Sequence, residues 1–88
     1  MDNSNGYNGW TNRETWCLHL WLTGDYGLYQ AAKLLKANAS NPKQLMRLLK
    51  VFTESQSGSN VVAKMLSDIG NMDKVNYLEV ATALYQNL

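Results

Sequence analysis

The sequence has 88 residues and a formal net charge of +1, and 45% of its residues are hydrophobic. A chain of this length forms one domain with a modest core. Its near-neutral charge gives no global field that would attract nucleic acid or a membrane surface, and a single cysteine excludes an internal disulfide. We expect no N-terminal leader, and no apolar run approaches the roughly 18 residues that span a bilayer. We therefore expect a cytoplasmic protein.

Residues 1–9 are polar and rich in asparagine and glycine. They carry too little apolar surface to offset the entropy lost on ordering. We expect a flexible arm over residues 1–9 and a single helical domain over residues 10–88. Tyr7 is the exception in the arm and is expected to pack near Trp10.

Residues 10–22 organise the chain, because they hold all three tryptophans together with the only histidine and the only cysteine. Thr11, followed three residues later by Glu14 and then by an apolar run, has the form of a capping box. Gly24 is a suitable stop signal for a helix. This pattern predicts a helix over residues 12–23.

The apolar side chains of this first helix spread over more than half of its circumference. They are Trp16, Cys17, Leu18, Leu20, Trp21 and Leu22. The remaining sector is expected to be polar and is formed by Asn12, Thr15, His19 and Thr23. We therefore interpret the first helix as the centre of the fold, with Trp16 and Trp21 in the core. The alternative is an exposed tryptophan that anchors a partner, and Trp10 either folds back as a lid or remains outside.

Four further helices are predicted from apolar periodicity and start signals, over residues 26–37, 42–54, 61–69 and 74–86. The expected N-caps are Asp25, Asn41 (followed by Pro42), Asn60 and Asp73. Gly70 is expected to end the fourth helix. One face of the last helix is expected to carry Val75, Leu78, Thr82 and Tyr85. The fold class that follows is an all-α bundle of about five short helices around a Trp-rich first helix.

Residues that suggest catalysis do not combine into a site. Cys17 and His19 are two positions apart, so on a helix they point about 200° away from each other and form neither a dyad nor a chelate. The carboxylates are expected to act as helix caps or to lie on the surface, and no phosphate-binding loop or Cys-x-x-Cys pair occurs. We expect no enzyme activity, no cofactor and no metal.

Charge is distributed unevenly, because every charged residue between positions 26 and 53 is basic. These residues are Lys33, Lys36, Lys43, Arg47 and Lys50. The last three follow i, i+4, i+7 spacing and form a stripe opposite the leucines of the third helix. Such a face suits an acidic protein surface or a phosphate backbone, and a solvated outer surface is the third interpretation. We expect Tyr7, Trp10 and Tyr26 to extend the contact surface if the basic residues bind a partner.

The motif Trp-Thr-Asn-Arg-Glu-Thr-Trp resembles a family of short, largely uncharacterised proteins of phages, plasmids and prokaryotic genomes. That family carries an N-terminal W-T-N-x-E-T-W pattern, matched here by Trp10, Thr11, Asn12, Glu14, Thr15 and Trp16, and Trp21 lies in the apolar helix that follows. The resemblance covers about a fifth of the chain and implies a shared structural signature at the N-terminal turn. It assigns no function, and Cys17 and His19 fall outside the motif.

Small proteins of mobile elements often act by binding a host protein, which includes components of CRISPR or restriction defence. By this analogy, we expect stoichiometric binding to a host protein, with an acidic surface or a defence complex as the specific candidate. The alternatives are a nucleic-acid-binding module that uses the basic stripe and a homo-oligomeric structural protein, with a homodimer as its simplest form. No membrane partner is expected.

Overall fold

The computed structural model describes residues 8–88, so residues 1–7, which include Tyr7 and most of the predicted arm over residues 1–9, lie outside the described residues. Within this range the chain forms five α-helices and one short 3-10 helix, with no β-strand. The helices are α1 (Arg13–Gly24), α2 (Tyr26–Ala37), α3 (Pro42–Ser55), α4 (Asn60–Ile69) and α5 (Tyr77–Asn87), and the 3-10 helix is Met72–Lys74. The predicted all-α fold is confirmed.

The N-caps predicted for α2 and α3 are confirmed. The Asp25 carboxylate accepts a hydrogen bond from the backbone N–H of Leu28 at 3.0 Å, and the Asn41 side chain accepts from the N–H of Gln44 at 2.9 Å. The Gln44 side chain accepts in turn from the N–H of Ser40 at 2.7 Å. These bonds satisfy N–H groups that have no partner within the helix.

The predicted capping box of α1 is wrong. Asn12 is the N-cap, and its side-chain oxygen accepts from the backbone N–H of Thr15 at 2.9 Å. The backbone N–H of Thr11 donates instead to the Glu79 carboxylate of α5 at 3.1 Å, and Glu14 lies in the first turn of the helix. A carboxylate from a distant helix therefore takes the position that the sequence assigned to Glu14.

The starts of α4 and α5 also differ from the prediction. Asn60 is the first residue of α4 rather than its cap. Asp73 lies in the 3-10 helix, and α5 begins only after Asn76, whose side chain accepts from the N–H of Glu79. Gly70 ends α4 as predicted, with a φ of 88° that favours glycine.

The core lies around α1, which packs against α2, α4 and α5. The buried apolar residues come from every α-helix and from the segment before α5. They are Cys17, Leu18, Leu22, Leu28, Ala32, Leu45, Leu49, Val62, Met65, Ile69, Val75, Val80, Ala81 and Leu84. Trp16 and Trp21 are partly buried and pack against this cluster, as does Trp10. The central position predicted for the first helix is confirmed.

Thr15 departs from the polar sector expected for α1, because it is fully buried. Its hydroxyl donates to Asn12 at 2.6 Å and accepts from the backbone N–H of Asn76 at 2.9 Å. The Asn12 side-chain amide also donates to the Lys74 carbonyl at 2.7 Å. The first turn of α1 thus holds the segment that leads into α5.

The remaining large contact is between α3 and α5, and hydrogen bonds at its two ends show that these helices run antiparallel. The Tyr85 hydroxyl near the end of α5 donates to the Ser40 carbonyl just before α3 at 3.0 Å. At the opposite end, the hydroxyls of Thr53 and Tyr77 lie 3.2 Å apart. This pairing sets one side of α5 beside the basic residues of α3. Over residues 8–88, no helix has the length and apolar character needed to cross a membrane.

Candidate functional site

The structure divides the predicted basic residues into two groups. On α2, the Lys36 ammonium donates to the Leu88 carbonyl at 2.6 Å and lies 5.6 Å from the centre of the Tyr85 ring. Lys33 lies 5.5 Å from the centre of the Tyr29 ring. Both lysines are therefore engaged within the molecule by cation–π contacts, and Lys36 by a hydrogen bond as well.

The three basic residues of α3 are placed differently. Lys43, Arg47 and Lys50 are exposed, and the structure records no ion pair between any of them and another described residue. They project from the side of α3 opposite the buried Leu45 and Leu49. The stripe predicted from the sequence therefore exists as an exposed row of cations.

A surface depression of about 510 Å³ adjoins this row where α3 meets α5. It is lined by Asn41, Pro42, Lys43, Gln44, Arg47 and Leu78. Leu78 is 40% exposed. None of these lining residues is acidic, so the depression combines a positive rim with apolar surface.

Sequence reasoning missed Leu78 as a site residue because it assigned this leucine to a face shared with Val75. The displaced start of α5 explains the difference: Val75 precedes the helix and is buried, whereas Leu78 lies in its first turn and is exposed. Asn76, which carries a good capping side chain and precedes Glu79 by three residues, was the signal that could have corrected the register.

The predicted aromatic contact residues are separated in the structure. Tyr26, at the start of α2, is 77% exposed. Trp10 instead lies over His19, with ring centroids 4.6 Å apart, which favours the interpretation of Trp10 as folded back onto α1. Burial lowers the pKa of His19 below its ordinary value. Tyr7 lies outside the described residues.

Cys17 forms part of a polar cluster between α1 and α4. Its thiol donates to the Asp68 carboxylate at 3.3 Å, and the same oxygen accepts from the Trp21 indole N–H at 2.8 Å. Arg13 reaches this end of α4 through the Asp68 carbonyl at 3.1 Å and the carboxylate at 3.8 Å. The indole hydrogen bond lowers the pKa of the Asp68 carboxyl. The Asp68 carboxylate, expected like the other carboxylates only to cap a helix or to lie on the surface, thus joins the two helices.

Burial, reinforced by the bond to Asp68, raises the pKa of the Cys17 thiol to about 11 from its ordinary value of 9.0. The thiolate is the reactive form. At pH 8 we therefore expect native Cys17 to react with Ellman's reagent about 100-fold more slowly than the chain unfolded in urea, from the thiolate fraction alone. Equal rates in the two states would show that Cys17 is accessible and ionised in the folded protein.

A second depression, of about 420 Å³, lies between α3 and the 3-10 helix. Lys50, Glu54 and Asp73 contribute charges of both signs to its lining, and Tyr77 contributes its ring. Burial raises the pKa of the Tyr77 phenol, while the Thr53 hydroxyl is its hydrogen-bonding neighbour. The mixed charges give this depression no clear preference for a ligand of one sign.

The fold and surface define a small all-α bundle with an exposed cationic row beside an apolar depression. Residues 8–88 contain no group of three or more His, Cys, Asp or Glu side chains that could hold a metal ion. Residues 3–87 match the family of unknown function DUF7249, and the chain belongs to that family. Its expected membership of an uncharacterised family is thereby confirmed. Neither the curated proteins nor the solved structures gave a match.

Proposed function

We propose that this chain is a binding domain that acts by stoichiometric association with another protein through the basic side of α3. The observation that carries this proposal is the exposed row Lys43, Arg47 and Lys50, which forms no ion pair with another described residue. The partly exposed Leu78 lies beside Lys43 and Arg47 in one depression. Exposed charges accelerate encounter with a surface of opposite sign. An adjacent apolar side chain supplies contact area that charge alone does not.

Nucleic-acid binding is the second candidate, because the same three cations fit a row of phosphates. The phosphate groups that would meet these cations offer no apolar surface to cover Leu78. The depression is also lined by no aromatic side chain on which a base would stack. The net charge of +1 supplies little long-range attraction to a polyanion. These features favour an acidic protein over nucleic acid.

The setting that we propose is the cytoplasm of a prokaryotic host, with the chain as a phage or mobile-element protein. The N-terminal motif resemblance supports this origin, and the small binding domain suits an inhibitor of host defence of the anti-CRISPR or anti-restriction type. Small proteins of mobile elements commonly bind host proteins, and this analogy of protein class supports the assignment. A homo-oligomeric structural role is the remaining alternative.

The test is a triple reversal of Lys43, Arg47 and Lys50 to glutamate, compared with reversal of the exposed Lys33, Lys64 and Lys74 on other elements. Both variants make the same change in net charge. We expect wild type and the control triple variant to capture the same protein from host lysate, identified by mass spectrometry, and the α3 variant to lose it. Binding to labelled duplex DNA and RNA is measured in parallel over a salt series.

Tight, salt-dependent nucleic-acid binding by the wild type would overturn the proposed protein-binding function in favour of nucleic-acid binding. In that case each lost phosphate contact lowers the slope of log K against log salt by about one unit. If both triple variants behave like wild type in all assays, the α3 stripe is solvated surface. The contact face would then lie elsewhere, with the exposed Tyr26 as the next position to test.

A further inference from the structure

The depression between α3 and α5 indicates more about a partner than its charge. Building on the proposed protein-binding function, we propose that the depression binds an acidic segment of the partner in which carboxylates flank one large apolar side chain. The apolar side chain would lie against Leu78 and Pro42, and the carboxylates would lie against Lys43 and Arg47. Three features of the structure carry this inference.

The first feature is the shape of the positive charge. Lys43, Arg47 and Lys50 follow one line along α3, and seven residues of helix span roughly 10 Å. A partner therefore meets a row of cations about two helical turns long rather than a single positive point. Carboxylates on neighbouring turns of a helix, or on alternate residues of an extended segment, match such a row.

The second feature is the chemistry of the central cation. Arg47 presents a planar guanidinium whose paired N–H groups fit a carboxylate with two parallel hydrogen bonds. It forms no ion pair with another described residue, and it lines the depression directly. Binding a carboxylate there requires no internal ion pair to be broken.

The third feature separates a peptide from simpler anions. Leu78 lies in the same depression as Lys43 and Arg47 and remains 40% exposed. An inorganic phosphate has no apolar group to cover it, and the sugar of a nucleic-acid backbone offers less apolar surface than a leucine or phenylalanine side chain. A leucine or phenylalanine between carboxylates covers it while the charges meet at the rim, an arrangement in which a central apolar contact is surrounded by polar ones.

The experiment uses the whole chain and fluorescence anisotropy with four labelled probes. The first is a peptide of glutamates around a central leucine, and the second replaces that leucine by serine. The third replaces the glutamates by glutamine, and the fourth is single-stranded oligothymidine. We expect the first peptide to bind about tenfold more tightly than the second, a ratio typical of a partly buried anchor. The third peptide should show no binding.

Protein variants assign the two contacts separately. Leu78→Ala should weaken binding of the leucine peptide about tenfold and leave the serine peptide almost unchanged. Arg47→Lys, which keeps the charge but removes the planar fork, should weaken both glutamate peptides by a similar factor of about fivefold. Lys33→Glu is the control, because Lys33 is exposed on α2, away from the depression. Its charge is screened by salt at that distance, so this variant should bind the leucine and serine peptides almost as tightly as the wild type does. Circular dichroism of each variant verifies that the helical content is unchanged.

Several results would overturn the inference, and they differ from failure of the proposed function. If the α3 triple reversal abolishes capture of a host protein but no glutamate peptide binds, the basic face binds protein and the acidic segment is wrong. If leucine and serine peptides bind equally, only charge is recognised. Preferential binding of oligothymidine makes the occupant a nucleic acid. If sedimentation shows self-association of the wild type that Arg47→Glu abolishes, the occupant of the depression is a second copy of this chain.

Discussion

Replacing Asn12 by alanine is expected to lower the free energy of unfolding by about 2–3 kcal/mol. The Asn12 side chain caps α1 through the N–H of Thr15 and donates to the Lys74 carbonyl. Loss of a helix cap costs about 1–2 kcal/mol, and loss of a further hydrogen bond about 1 kcal/mol. Urea titration followed by circular dichroism measures the effect.

The matched control is Thr11→Ala, one residue earlier. Thr11 is exposed, and its recorded contact uses the backbone N–H, which alanine keeps. Its replacement should change the free energy of unfolding by less than about 0.5 kcal/mol. If Thr11→Ala were the more damaging change, the capping box predicted from the sequence would be the better description of this turn.

Replacing Leu18 by alanine is expected to have the largest effect on stability, about 2–5 kcal/mol. Leu18 has no exposed surface and lies in the core cluster of α1, so truncation leaves a cavity beside the central helix. For a domain of this size, a loss of 1 kcal/mol lowers the melting temperature by about 4–8 °C. Small domains have only about 5–15 kcal/mol of total stability, so this variant is expected to melt far below wild type.

Leu20→Ala provides the control, because Leu20 lies two residues away on the same helix and is 48% exposed. Its removal should cost less than about 1 kcal/mol, since half of the side chain already contacts water. If Leu18→Ala fails to fold, Leu18→Met gives a graded test, with an expected cost below about 1.5 kcal/mol. Equal losses for Leu18→Ala and Leu20→Ala would contradict the orientation of α1.

Local sequence was sufficient for the parts of the fold that depend on local interactions. Asp25 and Asn41 were recognised as caps because the N–H groups that they bind are three residues away and no distant residue is needed. The alternation of leucines with Lys43, Arg47 and Lys50 likewise identified the two sides of α3. The all-α class follows from several such signals acting together.

Where two residues were equally suitable as helix N-caps by local sequence, the tertiary structure decided which of them caps the helix. Asp73 and Asn76 are both good N-caps, and Asn76 starts α5 in a segment held by α1. The Thr15 hydroxyl accepts the Asn76 N–H, and Asn12 holds the Lys74 carbonyl. These contacts join residues more than 60 positions apart, beyond the reach of helical periodicity.

The candidate site shows the same division between local pattern and long-range packing. The i, i+4, i+7 spacing by itself determined that Lys43, Arg47 and Lys50 share a face, because helix geometry is local. Only the packing of α5 against α3 placed Leu78 in one depression with Lys43 and Arg47, and only the position of Leu88 gave Lys36 a hydrogen-bond acceptor within the molecule. The sequence therefore determined where charge lies on each helix. The tertiary structure decided which charges have no ion pair within residues 8–88 and which apolar surface they border, because both depend on neighbours that are distant along the chain.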